Sequence, residues 1–142
     1  MRKFILVAIL IGAGMALPGF AQLPDEGQLI QVLDSPASVV AKETAARRLK
    51  QTGTSRCVAA VARLLPEGQL NQIACDVLET LPTEEAGRAL QQALASTTGT
   101  SRAAIIHALG ERRHQPALAE LRTALNETNE LIATSAARAM GR

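Results

Sequence analysis

The chain predicts an all-α fold, an α-solenoid of about four stacked helix pairs, and three observations carry that prediction. First, a small or branched residue is followed four places later by Leu or Met at Ala45–Leu49, Ala74–Leu78, Ile105–Leu109 and Ala136–Met140. These endings recur about every 30 residues, the period of stacked helix-pair repeats. Second, another i, i+4 column runs ahead of it, at Leu29 and Leu33, Ala60 and Leu64, Leu90 and Leu94, Leu121 and Leu125. Residues four apart share one helix face, so each unit holds two amphipathic helices, A and B. Third, no alternating β-branched run competes with these periods. One such hairpin cannot bury its own apolar stripe, whereas stacked hairpins can.

The elements follow in order from local chemistry. Asp34-Ser35-Pro36 ends the first A helix, since proline lacks an N–H and fits only a helix's first turn. The first B helix runs through Ala45 and Leu49 to Gly53, with Thr54 or Ser55 capping the second A helix. Pro66 turns the second hairpin, and Leu81-Pro82-Thr83 separates it from the third. Thr83 followed by Glu84 and Glu85 reads as a capped, acidic first turn, which the helix dipole favours. Thr98-Gly99-Thr100 turns the third hairpin, and Pro116 with Asn126 to Asn129 frames the fourth.

Export is the expectation from the first residues. Met1-Arg2-Lys3 is a basic start, Phe4 to Met15 is an apolar run interrupted by Gly12 and Gly14, and Gly19-Phe20-Ala21 places small residues at a cleavage site. Residues 1–21 are read as a cleavable signal peptide and 22–142 as the repeat domain, located in the periplasm or outside the cell. The apolar run is shorter than the about 20 residues a membrane span needs. Of the 15 Lys and Arg, Arg2 and Lys3 lie in that segment, leaving 13 against 13 Asp and Glu. A neutral domain offers no electrostatic case for nucleic acid or for a membrane surface after cleavage. The basic doublets Arg47-Arg48 and Arg112-Arg113 are accordingly read as solvated helix faces. Both aromatic residues, Phe4 and Phe20, fall in the signal, which excludes stacking recognition of sugars or bases by the mature domain.

Catalytic and metal chemistry find little support. His107, Glu111 and His114 have i, i+4, i+7 spacing, but the helix is expected to end near Arg113. His107 and Glu111 then form a surface pair, His114 sits in the turn before Pro116, and no metal or other cofactor is expected. No nucleophile elbow, phosphate loop or haem-attachment motif occurs. Cys57, placed on an A helix, and Cys75, on the next B helix, are almost equally far in sequence from Pro66. They are either a disulfide closing that hairpin or two buried thiols held apart by the normal helix separation.

The B-helix endings TAARRLKQTG, IACDVLETLP, AIIHALGERR and SAARAMGR resemble the HEAT-repeat family. The similarity is to the short bacterial HEAT-like repeats also found in phycobilin lyases and, over about residues 25 to 142, to exported bacterial HEAT-repeat proteins. That resemblance implies an ARM-type fold and a non-catalytic scaffold for protein–protein interaction, since the repeat carries no catalytic residue. The stripe expected to bind the protein partner is the row two places before each B-column end: Arg47, Asp76, His107 and Arg138. A regulatory segment of a longer exported protein is the alternative, motivated by the uncapped ending at Met140-Gly141-Arg142, which also suggests end-to-end self-association. A chromophore-lyase-like enzyme is the remote alternative and rests on the repeat resemblance alone.

Overall fold

The computed structural model describes residues 24–142, so the signal segment and its cleavage point lie outside the described residues. Among the described residues the fold is all-α, with eight α-helices and no strand. Helix α1 (Glu26–Asp34) opens with a capping box: Asp25 Oδ1 accepts from Gln28 N at 2.8 Å, and Gln28 Oε1 accepts from Asp25 N at 3.2 Å. Helix α2 (Val39–Thr52) begins three residues after Pro36, with the Ser38 hydroxyl accepting from Ala41 N. It stops at Gly53, whose N–H donates to Leu49 O at 2.7 Å. Gly53 is required there for space rather than for backbone handedness. Its φ is −70°, and a Cβ would stand 2.5 Å from Leu49 O and 2.9 Å from Cys57 Sγ.

A 3-10 turn, Ser55–Cys57, capped by the Thr54 hydroxyl, leads into the short α3 (Val58–Ala62). Cys57 therefore lies in this turn rather than on a regular A helix, and Leu64 falls beyond the helix end. Successive bonds from Leu64 N to Val61 O and Leu65 N to Ala62 O tighten the chain toward Pro66 while keeping both leucines buried. Then follow α4 (Asn71–Thr80), α5 (Glu84–Ala93), capped by Thr83, and α6 (Gly99–Glu111). A second 3-10 turn, Gln115–Ala117, holds Pro116 in its first positions and feeds α7 (Leu118–Leu125). The Asn129 side chain caps α8 (Glu130–Met140) by accepting from Leu131 N and Ile132 N.

Consecutive helices pair as α1 with α2, α3 with α4, α5 with α6 and α7 with α8. The even-numbered helices pack in sequence, α2 on α4, α4 on α6 and α6 on α8, while α1 packs on α3 and α3 on α5. Two layers result, with the core between them. Fourteen of the sixteen column residues are buried; the exceptions, Leu125 and Met140, are 40% and 37% exposed and belong to the last hairpin. Leu49, Leu78, Leu90, Ile105 and Leu109 are fully enclosed, each worth about 1.5–3 kcal/mol of apolar transfer. Alanines fill the remaining spaces, Ala46, Ala74, Ala86, Ala108 and Ala136 among them, and let the helices approach closely. Helix α8 comes close to α6 at Gly110, where a Cβ would stand 2.6 Å from both Cα and Cβ of Ala139.

Candidate functional site

The even-numbered layer carries the expected row, one residue per helix: Arg47 on α2, Asp76 on α4, His107 on α6 and Arg138 on α8. All four reach solvent, Asp76 being half-buried. Their partners differ. Arg47 turns along its own helix to donate to Glu43 Oε1 at 2.6 Å. Asp76 instead joins two helices, with Lys50 Nζ of α2 3.8 Å away and Gln72 Nε2 donating at 3.0 Å. His107 lies 3.6 Å from Glu111, the surface pair expected of i, i+4 spacing. Arg138 makes no ion pair among the described residues, and Arg142 Nη1 pairs with the same Glu111 Oε1 that faces His107.

His107 and Arg138 line one shallow groove of about 320 Å³ with Gln72, Ala103, Leu131 and Ser135. Leu131 is 47% exposed there, an aliphatic side chain beside an unpaired guanidinium. The structure thus draws together His107, Arg138 and, through Gln72, Asp76, and leaves Arg47 to its own helix. Such a groove can take a side chain and one anionic group from a partner; it holds no nucleophile paired with a base. Among the described residues no three His, Cys, Asp or Glu side chains converge as a metal set would, and no helix is long and apolar enough to cross a membrane.

His114 lies in the turn before Pro116, as expected, but it is buried rather than solvated. Its ring occupies the space a side chain on Gly87 would need, since a Cβ there would meet Nδ1 at 2.4 Å, and Nε2 lies 3.3 Å from Gln91 Oε1. Burial pushes its pKa below the ordinary 6.5; Glu84 and Glu120 pull it up, and Arg112 and Arg88 push it down further.

The solvated reading of Arg112-Arg113 holds for Arg113 and is corrected for Arg112. Arg113 is exposed at a φ of 51°, a reversal that carries the chain out of α6. Arg112 turns inward instead: Nη1 donates to Leu78 O, Glu79 O and Leu81 O at 2.6, 3.0 and 2.5 Å, and Nη2 to Thr83 O at 2.6 Å. These carbonyls belong to the last turn of α4 and the following loop, which leave their acceptors unpaired when a helix stops. A guanidinium reaches several of them at once because it fans five donors from one plane.

Cys57 and Cys75 are separate, buried thiols in this structure. Cys57 Sγ donates to Thr54 O at 3.1 Å, and Cys75 Sγ faces Asn71 Oδ1 at 3.9 Å. Desolvation, aided by Glu26, raises the Cys57 pKa, and desolvation with Asp76 and Glu79 pushes Cys75 up to about 12. Neither is disposed to act as a nucleophile, because only the thiolate attacks. Sequence reasoning also passed over Asn71, buried at 3% exposure, whose Nδ2 donates to Leu65 O at 2.6 Å and fixes the turn between α3 and α4.

No family model matches the chain, and no curated protein or solved structure shows significant similarity to it.

Proposed function

We propose that the chain is an exported, non-catalytic scaffold of HEAT-like repeats that holds a protein partner on the face formed by its B helices, α2, α4, α6 and α8. The observation that carries this reading is the consecutive packing of those helices, which brings His107, Arg138 and the exposed Leu131 to one groove and sets Asp76 beside it. An extended face made from equivalent positions is what stacked repeats offer a partner. Without aromatic anchors, arginine and aliphatic side chains are the contacts left to supply affinity. The export part rests on the basic, apolar and small-residue order of the first 21 residues.

The test is capture from the exported fraction with three baits: the parent domain, an Arg47→Glu/Arg138→Glu double variant, and Arg122→Glu on α7 as the opposite-face control. The double variant is expected to lose the partner while its melting temperature stays close to the parent, since exposed charges contribute about 0–1 kcal/mol to folding. Loss with Arg122→Glu but not with the double variant would move the contact to the other layer. N-terminal mass spectrometry of the exported protein is expected to begin at Gln22, and intact Met1 in that soluble pool would refute the signal.

The exposed Leu125, Leu131 and Met140 of the last hairpin favour a second reading, end-to-end association of two copies. Sedimentation over a concentration series tests it, with Met140→Glu expected to abolish any dimer.

A further inference from the structure

Helices α2, α4 and α6 are each covered by the next even-numbered helix, and the residues on the covered side recur at matching positions. One place after the first residue of each B-column pair, Ala46, Cys75 and Ile106 are buried, whereas Ala137 is exposed. At the column end Leu49, Leu78 and Leu109 are enclosed, whereas Met140 reaches solvent. The outer side of α8 thus matches three surfaces that the fold buries against a neighbouring hairpin. Glu130, Thr134, Ala137 and Gly141 lie along it at i, i+4, i+7 and i+11, a single face with small residues at its centre.

Charge decides what fits there. The opposite end of the stack does not. On α2, Arg48 is exposed at the position where Val77, Ala108 and Ala139 are buried under the preceding hairpin. Gly110 of α6 stands against Ala139 of α8, so in a head-to-tail contact the matching residues are Gly141 and the second copy's Arg48. A guanidinium would then be carried into an apolar contact beside Arg142, and an unpaired buried charge is costly. Helix α8 is instead complementary to itself. Neither Glu130 nor Arg138 makes an ion pair among the described residues. They stand four places on either side of Thr134, about 6 Å along the axis in each direction. Two copies of α8 laid antiparallel about a two-fold axis at Thr134 set each Glu130 level with the other copy's Arg138, and bring the exposed Leu131 beside the aliphatic stem of that arginine.

We infer that the protein forms a two-fold, tail-to-tail dimer in which the outer faces of two antiparallel α8 helices pack together with reciprocal Glu130–Arg138 ion pairs. The inference rests on the end-to-end reading above and deepens it by naming the end, the symmetry and the contacts. A head-to-tail contact would leave a free end and grow into a chain of copies, whereas a two-fold contact closes at two. One helix of 11 residues from each copy sets the scale of a weak, transient association rather than an obligate one.

Sedimentation of the purified protein alone, from about 1 μM to about 1 mM, is the test. The parent is expected to pass from monomer to dimer and no further. Glu130→Arg and Arg138→Glu each set like charges together twice in a dimer, and each is expected to weaken association at least about tenfold with unchanged far-UV circular dichroism. An equimolar mixture of these two variants pairs opposite charges at both contacts and is expected to recover the dimer to within about threefold of the parent, as is Glu130→Arg/Arg138→Glu on one chain. Dimers indifferent to the single reversals, a mixture that fails to associate, or growth beyond two copies would each overturn the inference while leaving end-to-end association by other contacts standing. A parent that stays monomeric at about 1 mM overturns both.

Discussion

Gly110→Ala sets two effects of known sign against each other. Gly110 is inside α6 with ordinary helical backbone, so alanine should favour the helix by about 1 kcal/mol. The added Cβ, however, would stand 2.6 Å from Ala139 Cα, where ordinary contact begins at 3.4 Å, so α8 must retreat by roughly 1 Å. The obstacle is backbone and cannot rotate aside. A retreat of that size forfeits a quarter to a half of the dispersion at each contact it opens, and overpacking of this kind costs about 3 kcal/mol at the upper end of its usual range. The net expectation is a loss of about 2 kcal/mol, or a fall in melting temperature of about 8 °C for a domain of this size. Far-UV circular dichroism is the suitable probe, since the chain's aromatics are confined to Phe4 and Phe20. Gly68→Ala is the control: nothing lies within 4 Å of a Cβ there, and its stability is expected within about 0.5 kcal/mol of the parent. A Gly110→Ala protein that melts at or above the parent would refute the close-approach argument.

Three further expectations follow from buried polar groups. Burial lowers the His114 pKa, so the unfolded chain takes up its proton first; stability from this group is full above about pH 6.5 and is lost as pH falls through the folded value. Melting curves between about pH 7 and pH 5 should therefore fall more steeply for the parent than for His114→Gln, and equal slopes would exclude His114 as the cause. Arg112→Ala is expected to cost about 2–3 kcal/mol, and Arg112→Lys to recover little of it, because one ammonium cannot span four carbonyls; full rescue by lysine in thermal melts would mean that charge alone matters. Cys57 and Cys75 are expected to titrate as two thiols after denaturation without reductant and to alkylate slowly in native protein, Cys75 the slower; a Cys57–Cys75 bridge found by non-reducing mass analysis would contradict the arrangement described here.

Periodicity was a sound guide to burial because it reports the side of a helix that meets the core. It placed Leu29, Leu90 and Ile105 correctly, and it failed at Leu125 and Met140, whose hairpin has no further described neighbour to cover them. It also overextended the second A helix, since the column Ala60–Leu64 stays apolar and buried even where α3 gives way to tighter turns. Charge was harder to read. Arg47, Arg112 and Arg113 are alike as letters, yet one pairs along its helix, one points inward and one is solvated. What separates Arg112 is the set of carbonyls left at the end of a helix some thirty residues earlier, which no local pattern encodes.

The grip of Arg112 on the end of α4 also governs how this protein comes apart. Helix termini ordinarily fray alone, and their amides exchange with solvent through small local openings. Here the last turn of α4, the loop after it and the first residue before α5 share one guanidinium rooted at the end of α6. That turn cannot unwind while the α6 terminus stays in place, so a fluctuation that would cost little in one hairpin becomes a joint event of two. The slowest exchange in the molecule should then lie at a junction between hairpins, a place where linked helical units usually open first.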